Sequence, residues 1–222
     1  MGKKDADRAR ELVRQRIELA KEAWVYCDEL IDRELDALRS RGIVSTCTKG
    51  CAHCCRQEIR VSKAEAEAVV DWIQKTWDAT TIEAFKERLQ LWLSWYTSDY
   101  PRLVGSGVAR EAAFYEHGPQ CPALQHDECS IYPVRPLTCR RHHVSSPPDA
   151  CRQERDPLFP GLDLSRRIEA LDRVSEPARH RLQARSDAAG ADYFRTAHLL
   201  PEWLAHLLRV DDQPWLRTPP LF

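Results

Sequence analysis

Nine cysteines in a chain of 222 residues are the feature that most narrows what this sequence can become, because they are not spread evenly. Four fall in one nine-residue stretch, Cys47, Cys51, Cys54 and Cys55, and three more in Cys121, Cys129 and Cys139, with Cys151 beyond and Cys27 well before. Buried thiols that merely fill a core would be scattered as single small hydrophobes. A disulfide framework belongs to short exported chains whose cores are too small to hold them together. Here 43% of the residues are hydrophobic and 30% charged, which is enough for an ordinary packed core. The opening Met1-Gly2-Lys3-Lys4-Asp5-Ala6-Asp7 leads into charged helical sequence rather than an apolar leader, so a cytoplasmic location is expected. Clusters of cysteines in short, turn-rich stretches are what ligation of a metal by thiolates requires.

The remaining composition removes other classes. Lys plus Arg total 33 against 34 for Asp plus Glu, so the basic surplus of a domain that grips nucleic-acid phosphates is missing. No run of about 18 apolar residues offers a membrane span. Apolar residues at three- and four-residue steps, Leu12, Val13, Ile17, Ala20, Trp24, Cys27, Leu30, Ile31, Leu35 and Leu38, predict one long amphipathic helix over 5–40, with Gly42 as its stop. Cys27 lies on that apolar stripe and reads as a core thiol. Ser62 followed by Glu65 is a capping box opening a second helix, with Ala66, Val69, Val70, Ile73 and Trp77 on its apolar side. Thr80 or Thr81 opens a third, whose Phe85, Leu89, Trp92, Leu93 and Tyr96 read as a core wall rather than a ligand platform. The proline-rich stretch 98–160 is expected to be mostly irregular. Two more helices are expected at 163–186 and 190–209, Pro201 suiting a first turn, and then an extended tail over 211–222. The expected fold is mainly α: a single helical domain with irregular cysteine-rich loops. It divides into a long helix over 1–42, a cysteine core over 43–160 with a helical pair at 62–97, and C-terminal helices and tail over 161–222.

Within the first group, spacings of three and two put Cys47, Cys51 and Cys54 on one tight loop, and Gly50 supplies backbone freedom for its turn. Cys55 can face the same way as Cys54 only where the chain is helical or sharply turned. In the second group, Pro122, Pro133 and Pro136 stiffen the turns that aim Cys121, Cys129 and Cys139. Eight cysteines without Cys27 could make two four-thiolate sites, or one cluster plus structural thiols.

Together Cys47-x3-Cys51-x2-Cys54-Cys55, Cys121-Pro122, Cys129-x-Ile131-Tyr132 and Arg135-Pro136-x2-Cys139-Arg140 resemble the YkgJ-like cysteine-cluster family, over about positions 47 to 151. That family is described as zinc- or iron-chelating, and flagellin lysine N-methylases carry a similar cysteine domain. The resemblance implies a metal or cluster site at Cys47, Cys51, Cys54, Cys55, Cys121, Cys129, Cys139 and Cys151. Arg135 and Arg140 stand beside those thiolates and are expected to offset their negative charge. With so many thiols available, His53, His126, His142 and His143 are not needed as ligands. Irregular spacing with a single C-x2-C unit suits a [4Fe-4S] cluster better than zinc, which usually takes paired knuckles. C-x3-C-x2-C is also the signature of radical S-adenosylmethionine enzymes, but two consecutive helices after the motif are wrong for their barrel. Three functions are compatible with the pattern. One is a cluster- or metal-binding module of structural or sensing role; another is a cluster-dependent modifying enzyme by analogy with the methylases. The third is a zinc-stapled protein whose long helix binds a protein partner.

Overall fold

The computed structural model describes residues 2–48, 50–153 and 166–210. Residue 163, the expected start of one helix, and the tail over 211–222 lie outside the described residues, and the helix expected from 163 begins at Ala170, residues 166–169 being non-helical. The fold is mainly α, as the periodicity demands. The first helix, α1, runs over Lys3–Arg39, and the chain turns away after it, with Gly42 N–H donating to the Arg39 carbonyl. Its apolar stripe buries Leu19, Ala20, Trp24, Cys27, Ile31 and Leu38. Helix α2 (Lys63–Thr76) opens on the expected capping box: Ser62 Oγ accepts from Glu65 N–H at 3.3 Å, and the Glu65 carboxylate accepts from Ser62 N–H at 3.2 Å. It packs in the groove between α1 and the C-terminal α8 (Leu200–Leu207). Helix α7 (Ala170–Ala188) packs along α1 as well.

Between α1 and α2 the ion pair Arg16–Glu67 is buried, both side chains about 6% exposed, with two guanidinium–carboxylate contacts of 2.7 Å. Arg16 also donates to the Ala189 carbonyl after α7, so its charge is fully engaged.

Three further expectations need correction. Helix α3 covers Ala79–Gly105, started by Asp78, whose carboxylate accepts from Thr81 N–H at 2.7 Å, and it passes through Pro101 instead of ending at 97. A proline inside a helix forfeits one hydrogen bond and strains the preceding turn. Here Arg102, just past the proline, donates to the Ser98 carbonyl at 3.0 Å and pairs with Asp99, bridging the break, while an aromatic stack of Trp92, Tyr96, Tyr100 and Phe114, with centroids 4.9 to 6.3 Å apart, packs the half before it. The stretch beyond is also more regular than its prolines suggest. A short turn of helix, α4 (Arg110–Ala112), widens into a π-helix over Ala113–His117, and the strands β2 (Leu124–Gln125) and β3 (Glu128–Cys129) form a hairpin. Finally, α8 begins at Leu200, so residues 190–199 are turn and strand: His198–Leu199 (β4) pairs antiparallel with Arg60–Val61 (β1). Pro201 sits in the first turn of α8, where its missing N–H costs nothing.

One buried carboxylate links these elements. Beyond its capping box, Glu65 accepts from Leu137 N–H at 2.9 Å, at the start of α5 (Leu137–Arg140), and from Trp24 Nε1 of α1 at 3.4 Å. The substitution Glu65→Ala orphans buried donors that cost about 1–3 kcal/mol each. Urea unfolding is therefore expected to show a loss of roughly 3 kcal/mol or more, and an unchanged midpoint would refute the role.

Candidate metal centre

The four cysteines of the first group sit on the connection between α1 and β1; Cys47 N–H donates to Ser45 Oγ at 3.3 Å, and the other three are placed by backbone turns. Cys51 N–H donates to Thr48 O at 3.1 Å, closing a turn in which Gly50 takes φ +90°, a conformation that side-chain-bearing residues avoid. Cys55 N–H donates to Ala52 O at 3.0 Å and Gln57 N–H to Cys54 O at 3.2 Å. This tight winding is the sharp turn that lets adjacent Cys54 and Cys55 thiols share one side, close enough to hydrogen-bond to each other.

The second group is presented by the hairpin. Its two-residue turn, His126 and Asp127, has φ of 49° and 60°, the left-handed pair that matches the twist of a two-residue β-hairpin. Cys129 pairs with Leu124 across the ladder, and Cys121 lies at the hairpin's base. Cys121 N–H donates to Cys55 O at 2.6 Å, which joins the two groups directly. Cys139 is on α5, positioned by Glu65 as described. Thr46 N–H donates to Val144 O at 2.9 Å, drawing the chain just after α5 against the start of the first cysteine loop.

The outcome is one cavity of about 150 Å³ walled by Cys47, Cys51, Cys54, Cys55, Cys121, Cys129 and Cys139. Ile59, Leu124, Ile131, Pro136 and Leu200 make its apolar walls, and Arg135, His142, His143, Gln57 and Tyr132 also face it. All nine cysteines are free thiols. Among the described residues, no three Cys, His, Asp or Glu side chains form a group that could hold one bare ion as they stand. The thiols instead surround a space with room for more than a single ion. Seven soft sulfur donors around such a space suit iron–sulfur or zinc–thiolate ligation, and they do not suit the all-oxygen shells of calcium or magnesium.

Electrostatically the walls are those of a thiol site at rest. Burial pushes Cys121 up to about 12 and Cys139 well above the ordinary thiol range, and it raises Cys47 and Cys129. Cys55 is raised by its hydrogen bond with Cys54 and then by burial. Backbone amides work the other way: Val144 N–H donates to Cys47 Sγ at 3.3 Å, and Ala123 and Ile131 N–H groups favour the Cys121 and Cys129 thiolates. Arg135, its guanidinium 3.8 Å over the Tyr132 ring, also favours the Cys129 thiolate.

Not every expected residue is in this wall. Cys151 lies on α6 (Pro148–Gln153), outside the cavity's lining. Arg140 is also outside it. Its guanidinium donates to the Arg135 carbonyl at 2.7 Å and the Pro133 carbonyl at 2.8 Å, pairs with Asp28 of α1, and lies 5.2 Å over Trp24. It therefore clamps the turn that carries Arg135 and leaves the facing of the thiols to Arg135 alone. Cys27 is fully buried in the core, away from the cavity, with its thiol pushed up to about 12 by burial. His142 and His143 were set aside in the sequence and are in the wall. The helix carrying Cys139 ends at Arg140, so helical spacing gave no signal, and only their closeness in sequence to Cys139 pointed to them. Burial lowers His142 to about 4 and also lowers His143, so both rings are neutral at neutral pH.

No curated protein and no solved structure matches this chain. A family model does: CxxCxxCC, described as "Putative zinc- or iron-chelating domain", over residues 46–157. In this chain the first cysteine spacing is three residues rather than the two of the family's name. The match spans half of the sequence and takes in every cysteine of the cavity wall, and the chain belongs to this family of metal-chelating domains.

Proposed function

We propose that this protein holds an iron–sulfur cluster, of the [4Fe-4S] type, through thiolates of the cavity wall, in a structural or redox- and metal-sensing role. The observation that carries the reading is the convergence of seven thiols, from three separated stretches of chain, on a space larger than one ion. Varied cysteine spacing agrees with cluster ligation better than with paired zinc knuckles. When bound, such a cluster supplies one-electron storage at a potential set by its ligands and surroundings.

The chain's own residues do the rest. The amides of Val144, Ala123 and Ile131 hydrogen-bond to sulfur and stabilise the thiolate state of Cys47, Cys121 and Cys129. Arg135 brings a fixed positive charge beside thiolates that would otherwise accumulate negative charge. Ile59, Ile131 and Leu200 supply an apolar side to the cavity, which lowers the polarity around the sulfurs. The clamp formed by Arg140, Pro133 and Asp28 holds Arg135 in place from behind.

Anaerobic purification is expected to yield a brown protein with broad visible absorption and matching iron and acid-labile sulfide. A colourless protein with stoichiometric zinc would overturn the cluster assignment while keeping the metal site. Cys51→Ser is expected to lose metal and stability together, because a structural metal contributes folding free energy directly. Cys27→Ala should keep full metal content, measured by elemental analysis, at a cost of about 1 kcal/mol for the lost sulfur. Raised thiols are protonated at neutral pH, so each sulfur that ligates must release a proton. Zinc affinity of the metal-free chain, used as a probe, is accordingly expected to rise with pH by about tenfold per unit for each ligating thiol, up to the thiol range. Chelator competition at two pH values measures that slope, and a flat response would show that thiols are not the ligands.

A further inference from the structure

The two histidines of the cavity wall are held differently, and the difference selects one of them. In His143 both ring nitrogens are engaged: Nδ1 is 2.9 Å from Ser45 Oγ and Nε2 is 3.1 Å from the Arg140 carbonyl. That ring is a strut between the first cysteine loop and α5. His142 is engaged at Nε2, 3.2 Å from the Gln57 carboxamide, which in turn lies 2.7 Å from the Tyr115 hydroxyl. Gln57 and His142 both face the cavity, and Tyr115 stands behind them on the π-helix.

We propose that the centre takes one imidazole ligand, Nδ1 of His142, alongside its thiolates, and that Gln57 and Tyr115 are positioning residues for that ring. The proposal rests on the reading that the cavity holds iron or zinc. A carboxamide can present either end to its neighbours. As nitrogen it donates to both the Tyr115 oxygen and His142 Nε2. Turned over, its oxygen accepts from Tyr115 O–H and from His142 Nε2–H, and this second state leaves Nδ1 with a lone pair. A metal-ligating histidine almost always donates its other N–H to a fixed acceptor, which sets tautomer and ring orientation. The π-helix supplies the support. Its wide turn is closed by Gly118, where a Cβ would fall 2.5 Å from the Phe114 carbonyl, and the Gly118 carbonyl accepts from Arg56 of the cysteine loop. Such wide turns recur at functional sites, and here the turn places a hydroxyl behind the amide that orients the ring.

The test uses the full chain, reconstituted anaerobically with ferrous iron and sulfide, reduced with dithionite, and labelled with 15N-histidine. Pulsed electron paramagnetic resonance is expected to show a directly bound histidine nitrogen, and His142→Cys is expected to keep its iron and lose that coupling. If the protein holds zinc, imidazole scattering in the zinc X-ray absorption spectrum should be present and should vanish in His142→Cys. Gln57→Leu is expected to lose metal to a chelator about 10- to 100-fold faster, the usual effect of removing an outer hydrogen-bond partner. Gln57→Glu keeps an acceptor for Nε2–H and should restore the wild-type rate. Retained metal with no histidine coupling, or coupling that survives His142→Cys, overturns the ligand assignment alone. A chain that binds neither iron nor zinc overturns the metal reading and this inference with it.

Discussion

The buried Glu65 carboxylate is the constraint on which the site's geometry depends. Its two oxygens start α2 through the Ser62 cap, receive the Leu137 amide that opens the turn bearing Cys139, and meet the Trp24 indole of α1. A charged group so deeply placed is tolerable only when donors surround it. Because those donors come from three elements, the packing of the helical core and the position of the third cysteine stretch cannot be adjusted separately. Trp24 carries a second duty, lying under the Arg140 guanidinium, so the same helix supports both ends of the α5 turn.

Around that fixed turn, the two looser cysteine stretches are attached by few but direct bonds. The Cys55 carbonyl and Cys121 amide join one pair of stretches, and Thr46 and Val144 join another. The short β1–β4 pairing then closes the cavity floor, since Leu200 N–H donates to Ile59 O at 2.8 Å and both side chains face inward. Hydrophobic helices thus provide the scaffold, to which the second stretch adds Ala123, Ile131, Val134 and Leu137, whereas the first cysteine loop buries only Ala52 among its described residues. Segments of that kind gain most from a bound inorganic group, which repays the ordering of loops that packing alone holds weakly.

Much of this arrangement was legible in the residues. The long amphipathic helix, the Ser62–Glu65 cap, the inward aromatic face of α3 and the buried Cys27 follow from periodicity and capping chemistry, which are local. The convergence of thiols was legible as a tendency, because clustered cysteines have few other uses. What escaped was set by contacts and turns that no sequence pattern announces. Pro101 reads as a stop until Arg102 is seen tied back to Ser98 and Asp99. The hairpin turn at His126-Asp127 lacks the glycine that usually announces a left-handed pair. Arg140 looks like a charge for the thiolates, but Asp28, 112 residues away, draws it to the opposite side of its turn. Among the described residues no helix is long and apolar enough to cross a membrane, in agreement with the charge pattern of the sequence.

The π-helix has a consequence for how this chain can vary. An α-helix advances about 100° per residue, from its 3.6 residues per turn. Removing one residue between Ala113 and His117 would let the segment relax to ordinary winding, and it would swing the Tyr115 ring by about that angle, off the amide of Gln57. The extra residue is therefore a register mark rather than spare length: it sets which side chain of this segment meets Gln57.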